Sequence, residues 1–257
     1  MNDALVVRRD TDGVATLALN RPAKRNALSA ALVAQLARSL GEAGADPAVR
    51  VIALRGVGKD FCAGADLEEI AASRSGGPEE GLADARRLGE VFVLIRRLER
   101  PVVALVTGRA LGGGCGLATA CDLVLARDDA VFGYPEVHLG FVPALVMSSL
   151  RRKIGESAAL ELLLSGDRLG AAEARAAGFV NRVFAKDEFE TAAAGYLSAL
   201  AARPAAAVAL TKRLFYGLDG ASFEDAIARG AEVNAIARLT QDFGVGLDRF
   251  LHGTREG

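Results

Sequence analysis

The chain has 257 residues, 51% of them apolar and 25% charged, with a formal net charge of −1. That is enough chain for a full hydrophobic core in one main domain, and so even a charge balance gives no overall attraction for nucleic acid or an anionic membrane. Arg, Asp or Glu interrupts each apolar run before membrane-spanning length, and Met1-Asn2-Asp3-Ala4-Leu5 lacks the cationic-then-apolar pattern of a signal peptide. Cys62, Cys115 and Cys121 are odd in number and flanked by small residues. They read as reduced thiols, and a soluble cytoplasmic protein is expected.

In chain order, Leu5–Arg9 and Val14–Leu19 are short β-like runs around Asp12-Gly13, a hairpin signal. Ser29 can cap a helix carrying Leu32, Val33, Leu36 and Leu40 at helical spacing, with Gly41 and Gly44 to end it. Val51–Leu54 is a buried-strand candidate. Ser73–Pro78 is polar and glycine-rich, so a mobile loop is expected there. Leu88, Val91, Phe92 and Ile95 give Leu82–Leu98 helical periodicity. Pro101–Val106 and Leu123–Ala126 are strands, separated by a helix reaching about Ala120. Strands alternating with helices predict a wound α/β core with parallel pairing. Beyond Val180–Phe184 the pattern is helical from Glu188 to about Leu251. The expected division is therefore an α/β core over residues 1–187 and a helical region over 188–257, packed on that core or on a neighbouring subunit.

Two glycine-rich turns carry the chemical signal: Phe61-Cys62-Ala63-Gly64-Ala65-Asp66-Leu67 and Gly112-Gly113-Gly114-Cys115-Gly116. Either alone is accounted for by a tight turn or close helix–strand packing. Together, small residues let a ligand reach the backbone, and two converging N–H groups would make an oxyanion hole. Neither turn matches G-x-G-x-x-G, and Gly58-Lys59-Asp60 is no P-loop. Phe132-Gly133-Tyr134-Pro135-Glu136-Val137 places one carboxylate on a turn. A glutamate there can simply cap a helix or face solvent, but Val137, Leu139 and Phe141 would raise its pKa towards that of a general acid/base. His138 and His252 form neither H-E-x-x-H nor a G-x-S-x-G partnership, so His138 reads as a surface or packing residue. Asp66 and Asp122 read as helix-terminal acids, Asp66 capping the next helix and Asp122 ending the preceding one.

These segments, with Leu19–Leu28, Pro101–Ala104, Gly108–Asp122, Leu164–Asp167 and Ala171–Val180, resemble the crotonase family, the enoyl-CoA hydratase/isomerase superfamily, over nearly the whole chain. The resemblance implies a ββα superhelix with a C-terminal helical region that builds trimers, often paired into hexamers, and an acyl-CoA substrate with no separate cofactor and no metal. It implies that the N–H groups of Ala63 and Gly113 hold the thioester oxygen while Glu136, after Pro135, moves the proton. The acyl-CoA would run past Lys24, Arg25, Ala27 and Leu28, past Gly64, Ala65, Asp66 and Leu67, and past Gly112, Gly116 and Pro135, with Lys212 at its adenosine end.

Two positions depart from the family pattern. Family hydratases generally have a glutamate where this chain has Gly116, and many members have further glycines where this chain runs Phe141-Val142-Pro143-Ala144-Leu145-Val146-Met147. That apolar run would narrow the acyl pocket or tighten the core. Hydration of a 2-enoyl-CoA is the leading expectation. Isomerisation of a 3-enoyl-CoA by one glutamate is the alternative, and a non-catalytic acyl-CoA binding protein is the alternative from another class. Decarboxylation and thioester hydrolysis reuse the same oxyanion hole.

Overall fold

Local chemistry builds the first elements of the structure, a computed structural model that describes residues 4–73 and 76–252. Residues 1–3 of the expected unsignalled start, and residues 74 and 75 of the loop expected over Ser73–Pro78, lie outside the described residues. Strands β1 (Val6–Thr11) and β2 (Val14–Leu19) pair antiparallel across Asp12 and Gly13, both at positive φ, as a two-residue hairpin turn requires. Ser29 caps α1 (Ala30–Ala45), its Oγ accepting the Leu32 N–H at 3.2 Å. Gly41 and Gly44 do not end that helix. A Cβ on Gly44 would overlap Leu98, so this glycine admits a side chain packing across the helix.

The frame is a six-stranded sheet made with β3 (Val51–Gly56), β4 (Val102–Val106), β6 (Leu123–Arg127) and β9 (Arg182–Phe184), in the order β1-β2-β3-β4-β6-β9 and parallel from β2 onward. Its central strands β3 and β4 are buried on both faces, hence their apolar runs. One face packs Ile52, Leu54, Ala104 and Val124 against α1, α3 (Gly77–Arg97) and α4 (Gly113–Ala120). The other meets Phe189, Ala193 and Leu197 of α8 (Phe189–Ala201). The first helix after residue 187 thus packs on the core, one of the two placements expected for the helical region. Helices α9 (Ala205–Gly217), α10 (Phe223–Ala237) and α11 (Gln241–His252) complete the chain. Among the described residues no single helix is long and apolar enough to cross a membrane.

A second, three-stranded sheet matters more for the site. Strands β5 (Arg109–Leu111), β7 (Val131–Gly133) and β8 (Arg168–Gly170) lie in the order β5-β7-β8, with β5 and β7 parallel. β5 runs into the second glycine turn and β7 into the segment bearing Glu136.

Candidate active site

The two glycine turns are fastened together by backbone. Cys62 donates to Arg109 O and its carbonyl accepts the Leu111 N–H, both at 3.0 Å. A Cβ on Gly114 would overlap Cys62, and one on Gly64, at φ +106, would stand 3.0 Å from Leu111 O, so only glycine permits this approach. The turn over residues 22–28 joins them: Leu28 donates to Gly64 O at 2.8 Å and Asp66 to Leu28 O at 3.1 Å. Arg25 and Asn26 are both left-handed. The buried Asn26 side chain accepts from Arg21 N and donates to Val57 O and Asp60 O, which holds that conformation.

This fastening decides which N–H groups are free. The Ala63 N–H is spent on Arg25 O at 3.0 Å, which corrects its expected role. The free donor two residues on is Ala65 N, which has no hydrogen-bond partner among the described residues. It lies 3.8 Å from where a Gly113 Cβ would be. Gly113 opens α4, where helix geometry leaves the N–H unsatisfied and the dipole adds positive potential. Gly112, at φ +52, donates to Gly133 O at 2.9 Å, the bond that locks the turn to β7.

Past β7, Tyr134 is buried with its hydroxyl 3.2 Å from Thr119 Oγ1, anchoring the 3-10 turn Pro135–Leu139. Glu136 on that turn is half-buried and faces Gly112: a Cβ there would stand 3.0 Å from Oε1. Oε2 is buried with no hydrogen-bond partner among the described residues. Burial raises the Glu136 pKa, opposed in part by a hydrogen bond from its own backbone N–H. The expected shield differs from the observed one. Leu139 is 67% and Phe141 55% exposed, so it is the glycine floor that the carboxyl rests on.

The remaining expected residues divide. Arg21, overlooked because a lone arginine gives no pattern, pairs with Asp66 at 2.9 Å and donates to Ala27 O, clamping the turn over residues 22–28 to the first glycine turn and holding the Asp66 carboxyl below its usual range. Asp66 also caps α2 (Leu67–Ser73) by accepting the Glu68 N–H, as expected. Leu28 lies against Gly113, Leu67 and Arg25 are exposed, and Lys24 pairs with Glu68 at 2.6 Å at the surface. Lys212 is not brought to this cluster. Only 8% exposed, its ammonium donates to Ile95 O, Arg100 O and Asp122 Oδ2. Asp122 thus anchors α9, accepting from Tyr216 OH as well, rather than merely ending a helix. His138 donates to Ser165 O, the packing role expected. The three cysteines are free and buried, and burial pushes each thiol up to about 12.

A sequence profile of the family described as enoyl-CoA hydratase/isomerase matches residues 9–252. The 2,3-dehydroadipyl-CoA hydratase of Escherichia coli is 34% identical over 256 residues, covering 98% of this chain and 96% of its own. The 4-chlorobenzoyl coenzyme A dehalogenase-2 of an Arthrobacter species is 37% identical over 200 residues, 76% of this chain and 71% of its own. The crystal structure of an enoyl-CoA hydratase from Mycobacterium smegmatis superposes with a TM-score of 0.93 at 36% identity, covering 98% of each chain. Sequence and fold agree over nearly the full length: the chain belongs to the enoyl-CoA hydratase/isomerase family, the crotonase superfamily of enzymes.

Proposed function

We propose that this enzyme adds water to a 2-enoyl-CoA. The observation that carries the reading is the meeting of two free backbone donors, Ala65 N and Gly113 N, with a half-buried carboxyl at Glu136. Between the donors the thioester oxygen gains stabilisation as it turns enolate-like. The Glu136 carboxylate takes a proton from water as its oxygen bonds to C3, and the resulting acid returns a proton to C2. The net addition is one water. Coenzyme A would run past Lys24, Arg25, Ala27 and Leu28 and past Ala65, Asp66 and Leu67.

One observation favours a second reaction at the same site. Gly116 supplies no second carboxylate to hold water, and one acid suffices to move a proton along an allylic chain from a 3-enoyl-CoA. Incubation with crotonyl-CoA and with a 3-enoyl-CoA separates the two: loss of conjugated enoyl absorbance in the first is hydration, gain in the second is isomerisation. Inertness towards both sinks the reading. A silent binding protein would have its Glu136 turned out of the site, whereas here the carboxyl sits over Gly112.

The C-terminal helices leave large apolar side chains in water, Phe223, Leu239 and Phe250 among them, the last two 87% and 85% exposed. Such a surface supports a homo-oligomer, a trimer or hexamer. Light scattering at micromolar concentration checks this, and a monodisperse monomer refutes it. Buried, unpaired thiols support a reducing, cytoplasmic setting.

A further inference from the structure

Gly112 caps α4 and Gly116 lies in its first turn, the two joined by the 2.9 Å bond from Gly116 N to Gly112 O. Each floors a different side chain. Over Gly112 sits the Glu136 carboxyl. Over Gly116 sits Val146, on helix α5 (Ala144–Ile154): a Cβ on Gly116 would overlap its Cγ1 and stand 3.2 Å from its Cβ and 3.3 Å from Phe92 Cζ. Val146 is buried, and a β-branched residue in a helix has essentially one χ1 rotamer, so the methyl cannot swing aside.

We propose that Val146 is a specificity-determining residue: it fills the space into which any side chain at position 116, one hydrogen-bonded turn along from the glycine that seats the Glu136 carboxyl, would project, and so limits the site to one acid. Gly116 and Val146 are then a matched pair. A water-holding carboxylate can be placed on this helix face only when both change. The balance of reactions follows from the same packing: water addition is held below the level, relative to proton relocation, that a second carboxylate would give. That last step rests on the enoyl-CoA reading above; the packing does not.

Two sets of variants test this. In a thermal-unfolding cycle, Gly116→Ala alone forces a methyl into Val146 and should lower Tm by about 2–12 °C. Val146→Ala should lower it by leaving a void, and the double variant should lose clearly less than the sum. Additive losses, or Gly116→Ala at the wild-type Tm, overturn the pairing. For the reaction, Gly116→Glu alone should fold poorly, whereas Gly116→Glu with Val146→Gly should fold and raise the ratio of crotonyl-CoA hydration to 3-enoyl-CoA isomerisation by about tenfold or more. General destabilisation lowers both rates and leaves that ratio where it was. An unchanged ratio in the folded double variant overturns the assignment of specificity. If the wild type acts on neither substrate, the enoyl-CoA reading fails, and the Tm cycle, which needs no substrate, decides the pairing.

Discussion

Replacing Gly112 by alanine should damage turnover without removing a single chemical group of the site. The position has φ +52 and ψ −127, a conformation that L residues avoid, so the added Cβ costs about 1–3 kcal/mol. For a chain of this size that is roughly 2–12 °C in Tm. The methyl would also stand 3.0 Å from Glu136 Oε1, closer than ordinary contact, and the carboxyl must retreat by a few tenths of an ångström. A misplacement of about 1 Å in a reacting group can cost about a hundredfold. The smaller shift, together with any tilt of the Gly113 N–H beside it, gives an expected loss of roughly tenfold to a hundredfold in kcat. KM for crotonyl-CoA should change little, because the proposed coenzyme A contacts lie on the turns over residues 22–28 and 65–67. The assay follows the enoyl absorbance, with Tm measured alongside. A folded variant with lowered Tm and wild-type kcat would show that the carboxyl does not work from its seat on Gly112.

Glu136→Gln keeps the shape but removes the acid/base, and should lower turnover by about two to four orders of magnitude while a CoA thioester still binds by calorimetry. Near-full activity in the folded variant excludes the role. Because hydration needs the carboxylate and burial raises its pKa, activity should fall as pH drops through a value above the ordinary 4.5, and a kcat profile breaking at or below that value contradicts the burial argument. Lys212→Met removes the buried partner of Asp122, 2.6 Å away, and should cost about 3–5 kcal/mol. That corresponds to a fall in Tm of roughly 6–20 °C. Wild-type stability combined with weakened coenzyme A binding would instead return Lys212 to the phosphate role expected from sequence.

The wound sheet was legible because its signals are local: a positive-φ turn at Asp12-Gly13, a capping Ser29, unbroken apolar strands such as Val51–Leu54. The second sheet was not. Its strands have three residues each, too few to show a period, yet the register placing Leu111 opposite Gly133 delivers Glu136 above Gly112. The oxyanion donor shows a different limit. Residue types place both Ala63 and Ala65 in the first glycine turn, but which N–H is free depends on where the Arg25 carbonyl points. That follows from left-handed Arg25 and Asn26, held by a buried amide no pattern announces. Lys212 has the charge of a phosphate ligand, and only the distant Asp122 shows that the charge is already spent. The same holds for the two departures from the family pattern. Gly116 alone suggests a missing acid, and Val146 alone a tighter pocket. Packed together they are one feature, since the valine occupies the place the acid would need and neither residue can be altered on its own without strain or a void.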